Sequence, residues 1–373
     1  MLFKRRSKKI RVGIIPLSSK PVPPDPDVIC APNSLVFELS KKLSDLNCEN
    51  MVFTSRDSSN EITCSGADLP SAWREFGPDT KNPIEYTQRR VESDLFAANE
   101  ALKAYRAGKI DLINSHDMRT NFFIFLAAKI PVLYTIHGDL ASIFHAYDQY
   151  RYRELSKSSS GMTCISHDNE KFCQKNSIKN FGYTPNGVDT DKYNFQANSE
   201  KQGVIFVGRI VPEKKVEELI LSVKESGQKL SIIGPRGSSP NEIKYFERLE
   251  KQYFGKDNVD YLGYKTPNEL IPIYQNAKLI FMPTEREGMP MVLLEAMSSG
   301  VVPIASPIGG IKDVINNGEN GILISSFGKN EIREALKKAS FIKPSAPRDR
   351  IIKEFSLVKM AQNYLAAYNK FLG

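Results

Sequence analysis

The sequence predicts an α/β protein built from two doubly wound parallel-sheet domains. Its 373 residues suit two domains of ~150 residues each. Short β-branched runs alternate with longer helical patterns, which is typical of parallel sheets covered by helices on both faces. This alternation restarts after residue 200 and so indicates a second sheet. With 41% hydrophobic and 25% charged residues, the composition is that of a globular chain and excludes general disorder.

Residues 1–184 are predicted to form the N-terminal domain. Its strand candidates are Arg11–Pro16, Met51–Thr54, Asp111–Ser115, Val132–Ile136 and Met162–Ile165. Apolar residues three and four positions apart predict a helix over Asn33–Leu46, and a longer helix is expected over Ile84–Ala107. Residues 185–202 begin with Pro-Asn-Gly and continue as a polar stretch, which predicts a linker.

The second domain is predicted over residues 203–352. Its strand candidates are Val204–Val207, Leu230–Ile233, Val259–Leu262, Leu279–Met282, Val302–Ala305 and Ile322–Ile324. Residues 353–373 hold a final helix whose apolar side over Leu357–Leu372 requires a packing surface on one of the two domains. Ligands of open parallel sheets bind beyond the carboxyl ends of the strands, and two such domains are expected to face a central cleft. Catalytic and binding residues are therefore expected in the loops that follow strands.

The segment after the strand candidate Leu279–Met282 carries the strongest signal. Glu287 lies in the loop, where its carboxylate can accept hydrogen bonds from hydroxyl groups. Gly288 and Pro290 are expected to open a helix, whose first N–H groups lack partners and suit an anion. Glu295 is expected about two turns into this helix. Solvated surface carboxylates are the alternative, but the apolar neighbours of Glu295 require that its charge has partners.

Two cations follow the first strand candidate of the second half. Arg209 and Lys214 are five residues apart, and Pro212 between them favours the first turn of a helix. Cations at a strand–helix turn suit a diphosphate, and the arginine adds a bidentate fork. Taken alone, this pattern is better explained by two surface cations.

Histidines and paired glycines also follow strand candidates. His137 lies at the end of a strand and is expected to point into the cleft, although a hydrogen-bonded loop histidine fits the same position. His116 has a similar position at the end of the preceding strand. Gly309 and Gly310 follow another strand, where they either let the backbone approach a ligand closely or form a tight turn.

Metal ions and resident cofactors are not expected. No two of the four histidines have metal-ligand spacing with a third ligand. The five cysteines are odd in number and lack CxxC spacing, which predicts reduced thiols and a cytoplasmic chain. Neither a secretory signal nor an apolar run long enough for a membrane span is found in the sequence.

Positive charge is concentrated at the start of the chain. The net charge is +8, and six of the first eleven residues are Lys or Arg. We predict that Lys4–Arg11 contacts an anionic membrane surface peripherally, with a solvated terminus as the alternative. No zinc-finger or basic–aromatic pattern indicates nucleic-acid binding.

Taken together, these motifs resemble those of retaining glycosyltransferase family 4 (glycosyl transferases group 1), which has the GT-B architecture of two Rossmann-like domains. The resemblance covers nearly the whole chain and is strongest from Thr184 to Ile324 and at the C-terminal helix. It implies that this helix, in residues 353–373, crosses back to the N-terminal domain. The similar segments, in family order, are TIHG, PNGVDTDKY, VGRIVPEKK, EGMPMVLLEAM, SPIGGIKDVI, GENGILI and FSLVKMAQNYLAAYNKFL. No single segment is specific, but their shared order argues against chance agreement.

The resemblance implies a role for each candidate residue. Arg209 and Lys214, here called the diphosphate clamp, would hold the donor diphosphate, and Glu295 would bind the ribose. Glu287 would contact the donor sugar, and His137 would reach the sugar from the N-terminal, acceptor-side domain. Further donor contacts would come from Gly288, Met289, Pro290, Met291, Gly309 and Gly310. The catalytic residues would then be His137, Glu287, Arg209 and Lys214.

The implied activity is the metal-independent transfer, with retention, of a hexose-type sugar from a nucleotide-diphosphate sugar to an unknown hydroxyl acceptor in glycan or glycolipid synthesis. A UDP-sugar is the favoured donor and is a substrate, so no cofactor is expected. A same-face mechanism, in which the leaving phosphate helps to deprotonate the acceptor, is preferred to double displacement through Glu287. The alternatives are a non-catalytic GT-B scaffold that binds nucleotide sugar or protein partners, and a nucleotide-sugar epimerase of the same fold.

Four positions depart from the family pattern. Cys30 and Ala31 replace a glycine pair that precedes the first long helix, which puts the first-domain contact to phosphate or acceptor in question. Lys215 stands where glycine often follows the clamp lysine, and Pro290 removes one N–H from the loop Gly288–Met291, which would contact the donor sugar. The replaced glycine pair is the best support for the scaffold alternative, whereas the intact clamp argues against it.

Overall fold

The computed structural model describes residues 9–17, 19–26, 28, 30–67, 70–76, 83–143, 148–196 and 201–373. The chain divides into two compact units. The first unit comprises Met1–Pro185 and Met360–Gly373, and the second comprises Asn186–Lys359. Of the basic segment Lys4–Arg11, only the last three positions lie among the described residues.

A parallel sheet forms the centre of the first unit. Within the described ranges it has seven strands in the order β3-β2-β1-β4-β5-β6-β7. The strands are β1 (Arg11–Ile15), β2 (Glu49–Ser55), β3 (Cys64–Ala67), β4 (Leu112–Ser115), β5 (Leu133–Thr135), β6 (Gly161–Cys164) and β7 (Asn180–Tyr183). Val12 of β1 lies opposite Asn50 of β2 and Leu112 of β4, and the order of strands reverses between β1 and β4.

Helices connect these strands. They are α1 (Ala31–Asp45), α2 (Ala72–Phe76), α3 (Pro83–Arg106), α4 (Thr120–Ala128), α5 (Leu140–Ile143), α6 (Gln149–Lys157) and α7 (His167–Lys175). Helix α7 begins where the Ser166 hydroxyl accepts a hydrogen bond from the backbone N–H of Asn169. Side chains such as Ile113, Phe122 and Tyr134 fill the core that lies on this sheet.

A second parallel sheet forms the centre of the other unit. The part of the chain that the structure describes gives it six strands in the order β10-β9-β8-β11-β12-β13. They are β8 (Gln202–Val207), β9 (Leu230–Ile233), β10 (Val259–Tyr261), β11 (Ala277–Met282), β12 (Val302–Ala305) and β13 (Ile322–Leu323). The helices are α8 (Val216–Glu225), α9 (Pro240–Tyr253), α10 (Pro267–Asn276), α11 (Met291–Ser298), α12 (Ile311–Val314), α13 (Lys329–Ala339) and α14 (Ser345–Glu354). Here the order of strands reverses between β8 and β11.

The last helix, α15 (Leu357–Leu372), belongs mainly to the first unit, which contains its residues from Met360 onward. Tyr364 and Tyr368 are fully buried there. The surface that its apolar side required is therefore supplied by the N-terminal half of the chain. No helix in the described ranges is both long enough and apolar enough to cross a membrane.

The predicted fold class, two α/β units with parallel sheets, is confirmed. Every strand candidate coincides with an observed strand, but β3 and β7 were not predicted. Both lie at an edge of the first sheet, and each contains a glycine, Gly66 or Gly182. Glycine has a low strand propensity, so these strands form because a neighbouring strand pairs with them.

Candidate active site

The candidate site lies at the carboxyl edge of the second sheet, where the order of strands reverses between β8 and β11. Ligands of open parallel sheets bind at such a reversal. The loop after β8 carries Arg209 and Lys214, and the loop after β11 carries Thr284 and Glu287. Residues that are 70 or more positions apart in sequence therefore converge on one place.

Lys214 and Glu287 form the central ion pair of this site. The Lys214 ammonium donates to Oε1 of Glu287, and its Nζ lies 3.3 Å from Oγ1 of Thr284. The two charged side chains are only 15% and 19% exposed. The Thr284 hydroxyl donates to the Arg286 carbonyl oxygen at 3.1 Å, so it is oriented to accept from the lysine. Because the pair is largely shielded from water, it is screened less than a surface ion pair.

Arg209 is more exposed than Lys214, and its contacts are different. Its guanidinium nitrogens lie 3.3 Å from Oε1 of Glu213 and 3.8 Å from Oε1 of Glu242. Glu242 also caps α9, where its carboxylate accepts from the backbone N–H of Ser239. Both cations of the diphosphate clamp thus have carboxylate partners within the second unit.

Lys215 has the left-handed backbone conformation, with φ of +48°. It joins a single 3₁₀ turn, Pro212–Lys214, to helix α8. Glycine adopts this conformation freely, whereas for a residue with a Cβ the conformation costs roughly 1–2 kcal/mol of conformational free energy. The lysine that replaces the family's glycine therefore keeps the backbone conformation for which glycine is suited. Its ammonium pairs with Glu285 at 3.3 Å.

Gly309 and Gly310 pack against the loop that carries Glu287. A Cβ on Gly309, where φ is +47°, would overlap the carbonyl oxygen of Glu287. The Gly310 N–H donates to the Gly288 carbonyl oxygen at 2.5 Å, and a Cβ on Gly310 would lie 2.6 Å from that oxygen. The glycines thus permit close contact between the loops that follow β11 and β12.

Glu295 lies in helix α11, held by two tyrosines. The helix begins at Met291, so Glu295 is its fifth residue and lies nearer the start than the two turns expected. The Tyr274 hydroxyl donates to Oε2 of Glu295 at 3.1 Å, and the Tyr193 hydroxyl is a second donor. Burial raises the pKa of Glu295, while the bonds from the two tyrosines act in the opposite direction. The Glu295 carboxyl group therefore has the hydrogen-bond partners that its apolar neighbours in the sequence require.

The sugar loop, Gly288–Met291, is anchored by a residue that the sequence analysis did not single out. Asn186 donates from Nδ2 to the carbonyl oxygen of Met289 at 2.9 Å, and both residues are buried. Pro290 occupies the N-cap position of α11 without a side-chain cap. Asn186 lies in the Pro-Asn-Gly segment that marked the linker, so a signal for it was present.

Other partners were also missed. Thr284 and Tyr274 contact candidate residues without belonging to the segments that carry the resemblance, and Tyr193, the last residue of PNGVDTDKY, was not singled out as a candidate. Gly234 follows β9 with φ of +136°, and a Cβ there would overlap the carbonyl oxygen of Gly208. A glycine directly after a strand is a signal that could have identified Gly234, and the segment PNGVDTDKY could have identified Tyr193, whereas no signal was present for Tyr274.

His137 belongs to the first unit, where it meets His116. These residues follow β5 and β4, and Nε2 of His137 lies 2.8 Å from Nδ1 of His116, with the two ring planes 17° apart. Nε2 of His116 lies 3.2 Å from Oδ1 of Asn114. Burial, reinforced by the neighbouring His137, holds the pKa of His116 well below 6.5. His137 is therefore hydrogen-bonded within the first unit, and its partner is a buried neutral ring.

Cys30 and Ala31 stand at the start of helix α1. Cys30 is the N-cap residue, and its side chain makes no capping hydrogen bond. Burial raises the pKa of its thiol. At this helix start the replacement of the glycine pair introduces no charged or capping group. Among the residues that the structure describes, no group of three His, Cys, Asp or Glu side chains is arranged to hold a metal ion.

Two family models match this chain. The model of "Glycosyltransferase Family 4" covers residues 33–192, and that of "Glycosyl transferases group 1" covers residues 188–354. The chain belongs to glycosyltransferase family 4. A relative from Escherichia coli, UDP-Gal:alpha-D-GlcNAc-diphosphoundecaprenol alpha-1,3-galactosyltransferase, is 24% identical over 304 residues, which cover 71% of this chain and 77% of the relative.

Solved structures of the GT-B type resemble the fold of this family member. Sucrose-phosphate synthase from Thermosynechococcus elongatus has a TM-score of 0.74 at 19% identity, with 97% of this chain and 98% of that chain covered. Anabaena HepE, in complex with UDP and glucose, has a TM-score of 0.69 at 15% identity, with 96% and 99% covered. At these identities the likeness establishes the fold. The GT-B fold implied by the sequence motifs is thus confirmed.

Proposed function

We propose that this glycosyltransferase moves a hexose-type sugar from a UDP-sugar to a hydroxyl acceptor, with retention of configuration and without a metal ion. The observation that carries the proposal is the shielded Lys214–Glu287 pair at the reversal of strand order in the second sheet. The Escherichia coli relative, whose name gives UDP-Gal as its donor, and HepE, which was solved with UDP and glucose, support the choice of uridine.

The diphosphate clamp explains how the leaving group is stabilised. When the bond between the sugar C1 and the phosphate oxygen breaks, negative charge grows on the nucleoside diphosphate. Lys214 is already fixed by Thr284 and Glu287, so it stabilises this charge without reorganising. Arg209 gives up its half-exposed contact with Glu213 and pairs with a phosphate of the donor instead. The start of helix α11 adds partial positive charge.

Transfer then proceeds on one face of the sugar. The acceptor oxygen forms its bond to C1 on the side from which the phosphate leaves, and the acceptor proton goes to the departing phosphate oxygen. Glu287, held by Lys214, contacts donor-sugar hydroxyls, and Glu295 binds the ribose. His137 contacts the sugar, while Gly288–Met291 and the pair Gly309–Gly310 shape the donor pocket. The clamp supplies the positive charge that a divalent cation provides in other phosphate sites.

Membrane contact by Lys4–Arg11 stays a prediction. Lys9 pairs with Glu49 at 3.1 Å, and Arg11 pairs with Asp111 at 2.6 Å. These two cations already have carboxylate partners, so the predicted contact depends on the preceding residues of the segment.

Calorimetric titration of the full chain tests the nucleotide assignment. We expect UDP to bind more tightly than ADP or GDP, and UDP-glucose or UDP-galactose to raise the melting temperature. A ligand present at 100 times its dissociation constant stabilises by ~2.7 kcal/mol. The absence of a preference for UDP would overturn the choice of donor base.

Turnover distinguishes the enzyme from its alternatives. Incubated with UDP-sugars and a panel of hydroxyl acceptors, the enzyme should release UDP and give a product with the anomeric configuration of the donor, in the presence of EDTA as well. A scaffold would return the UDP-sugar unchanged, and an epimerase would convert it without an acceptor. An inverted product, or activity that needs Mg²⁺, would contradict the mechanism.

A further inference from the structure

A buried chain of hydrogen bonds leads from helix α15 to His137 within the first unit. The Tyr368 hydroxyl donates to Oδ1 of Asn114 at 2.8 Å. Nε2 of His116 lies 3.2 Å from the same oxygen, and Nδ1 of His116 lies 2.8 Å from Nε2 of His137. Asn114 and Tyr368 are 0% exposed and His116 is 3% exposed. Water therefore has little access to the links that precede His137.

The orientation of the Asn114 amide is fixed by its other contacts. Its Nδ2 lies 3.1 Å from the Leu133 carbonyl oxygen and 3.1 Å from Oγ1 of Thr135. A carbonyl oxygen can only accept, so the NH₂ group of Asn114 must face Leu133. Oδ1 of Asn114 therefore faces Tyr368 and His116, and it can act only as an acceptor.

The direction of each remaining hydrogen bond follows from this assignment. Because Oδ1 of Asn114 accepts, Nε2 of His116 must carry a proton. The His116 ring is neutral because burial holds its pKa well below 6.5. Its Nδ1 is then unprotonated and must accept, so Nε2 of His137 must donate. The only ring proton that His137 can gain or lose is the one on Nδ1.

Ring contacts restrain the plane of the His116 ring. The His137 and His116 ring planes differ by 17° and their centroids are 5.1 Å apart, which is the separation that an in-plane N–H···N bond of 2.8 Å gives. Tyr364 of α15 lies beside His116, with the ring centroids 5.9 Å apart at an angle of 21°. Both side chains are buried, Tyr364 at 1% and His116 at 3% exposed. Rotation of the His116 ring would therefore break its hydrogen bonds and its contact with Tyr364.

We propose that Asn114, His116 and Tyr368 are positioning residues that hold Nε2 of His137 as a fixed hydrogen-bond donor and so set the ring orientation in which His137 meets its ligand. That the ligand is the donor sugar rests on the proposed function. The assignment of the protons rests only on the contacts within the first unit. Helix α15, through Tyr368, thereby contributes to the chemical state of a residue at the end of β5.

Nitrogen-15 NMR of the histidine-labelled full chain tests the hydrogen-bond chain directly. With only four histidines in the sequence, the ring nitrogens can be assigned by substitution. We expect a scalar coupling across the N–H···N bond between Nε2 of His137 and Nδ1 of His116, and its loss in His116→Phe. The absence of this coupling from the wild-type spectrum, or a proton on Nδ1 of His116, would overturn the proposal.

Kinetics test whether the chain matters for turnover. His116→Phe keeps an aromatic ring but removes the nitrogen that accepts from Nε2 of His137. We expect kcat to fall by about tenfold to a hundredfold. This is the range seen when the outer hydrogen-bond partner of a metal-binding histidine is removed. The donor KM should change less than about twofold, because the nucleotide is held by the second unit. Tyr368→Phe removes one of the two donors to Asn114 and should give a smaller loss in kcat.

Tyr152→Phe is the matched control, because it also removes a hydroxyl from a buried tyrosine of the first unit but lies outside the chain. It should keep the wild-type kcat. If His116→Phe does not fold, Tyr368→Phe carries the kinetic test. Equal losses in Tyr368→Phe and Tyr152→Phe would refute a specific role for the chain. A wild-type enzyme that shows the N–H···N coupling but no transfer would contradict the proposed function and leave the hydrogen-bond chain established.

Discussion

The candidate site of the second unit and the histidine chain of the first unit hold their side chains by different means. In the second unit, Lys214 and Glu287 are a paired cation and anion, and Arg209 likewise lies beside carboxylates. In the first unit, Asn114 and His116 form neutral hydrogen bonds in nearly complete burial. Buried charge is costly unless it is paired, whereas buried neutral groups need only hydrogen-bond partners. Paired charges suit a site that must accept a charged ligand, and neutral bonds suit a site that must fix a proton.

Glu295 combines the two arrangements. It is a carboxylate in the charged region, but its partners are the hydroxyls of Tyr193 and Tyr274. Tyr274 is fully buried, as Tyr368 is in the other unit. Buried tyrosines therefore donate hydrogen bonds in both units. The two regions differ because the cations Lys214 and Arg209 belong to the site of the second unit, whereas the histidine chain consists of neutral groups.

The largest effect is expected from removing the shielded cation. Lys214→Ala should lower kcat by about 10²–10³, equivalent to ~2.7–4 kcal/mol, by analogy with the loss of one oxyanion-hole donor. It should also weaken UDP binding, because the diphosphate loses a preorganised cation. Initial rates and calorimetric affinities measure both effects.

Lys215→Ala is the control for this change. Lys215 is adjacent in sequence, carries the same charge and pairs with Glu285 at the surface. Its substitution removes a cation from the same loop without touching the Lys214–Glu287 pair, so rates should stay near those of the wild type. Equal losses in the two variants would mean that general positive charge, and not the shielded pair, is what the loop contributes.

An intermediate effect is expected from Gly309→Ala, compared with Gly318→Ala. Both glycines have positive φ, +47° and +84°, so both variants pay a backbone cost of roughly 1–2 kcal/mol. Only a Cβ at Gly309 overlaps another group, the carbonyl oxygen of Glu287, whereas nothing lies within 4 Å of a Cβ at Gly318. Gly309→Ala should therefore destabilise more and weaken UDP binding, while Gly318→Ala should leave UDP binding unchanged. Thermal unfolding and calorimetry of both variants measure this, and equal UDP affinities would show that the packing of the two loops does not shape the donor pocket.

The sequence was sufficient to predict the fold where local patterns and the final structure agree. Strands such as Val302–Ala305 are short apolar runs followed by glycine or polar loops, which predicts their position directly. Residues such as Lys214 and Glu287 follow strands, so the rule for parallel sheets predicted that their loops would converge. Gly309 was singled out because paired glycines after a strand indicate a close approach, although its partner was not foreseen.

Contacts between residues far apart in sequence were not predictable. Asn114 and Tyr368 are 254 positions apart, and no sequence motif indicates that they are in contact. Tyr274 reaches Glu295 from a different helix, and Glu242 reaches Arg209 from the start of α9. Such pairs depend on how helices pack on a sheet, which hydrophobic periodicity does not specify. The shift in the position of Glu295 had a local cause, because α11 begins at Met291 and not at Gly288.

The smallest effects concern pH, where the two regions should respond in opposite directions. Burial raises the folded-state pKa of Glu295 above 4.5, so the contribution of this group to stability is full below pH 4.5 and is lost as the pH rises through the folded pKa. Burial lowers the folded-state pKa of His116 below 6.5, so its contribution is full above pH 6.5 and is lost as the pH falls toward the folded pKa. Each slope is limited to ~1.4 kcal/mol per pH unit, because one proton is involved.

Two uncharged substitutions isolate these slopes. Relative to the wild type, Glu295→Gln should become more stable as the pH rises above 4.5, since it lacks the carboxylate that must ionise while buried. His116→Phe loses hydrogen bonds at every pH, but its deficit should shrink as the pH falls below 6.5, since it has no ring to protonate on unfolding. Urea denaturation from pH 4.5 to 8 measures both profiles. If stability depends on pH in the same way in both variants as in the wild type, neither Glu295 nor His116 has a pKa that is shifted by burial, and the comparison fails.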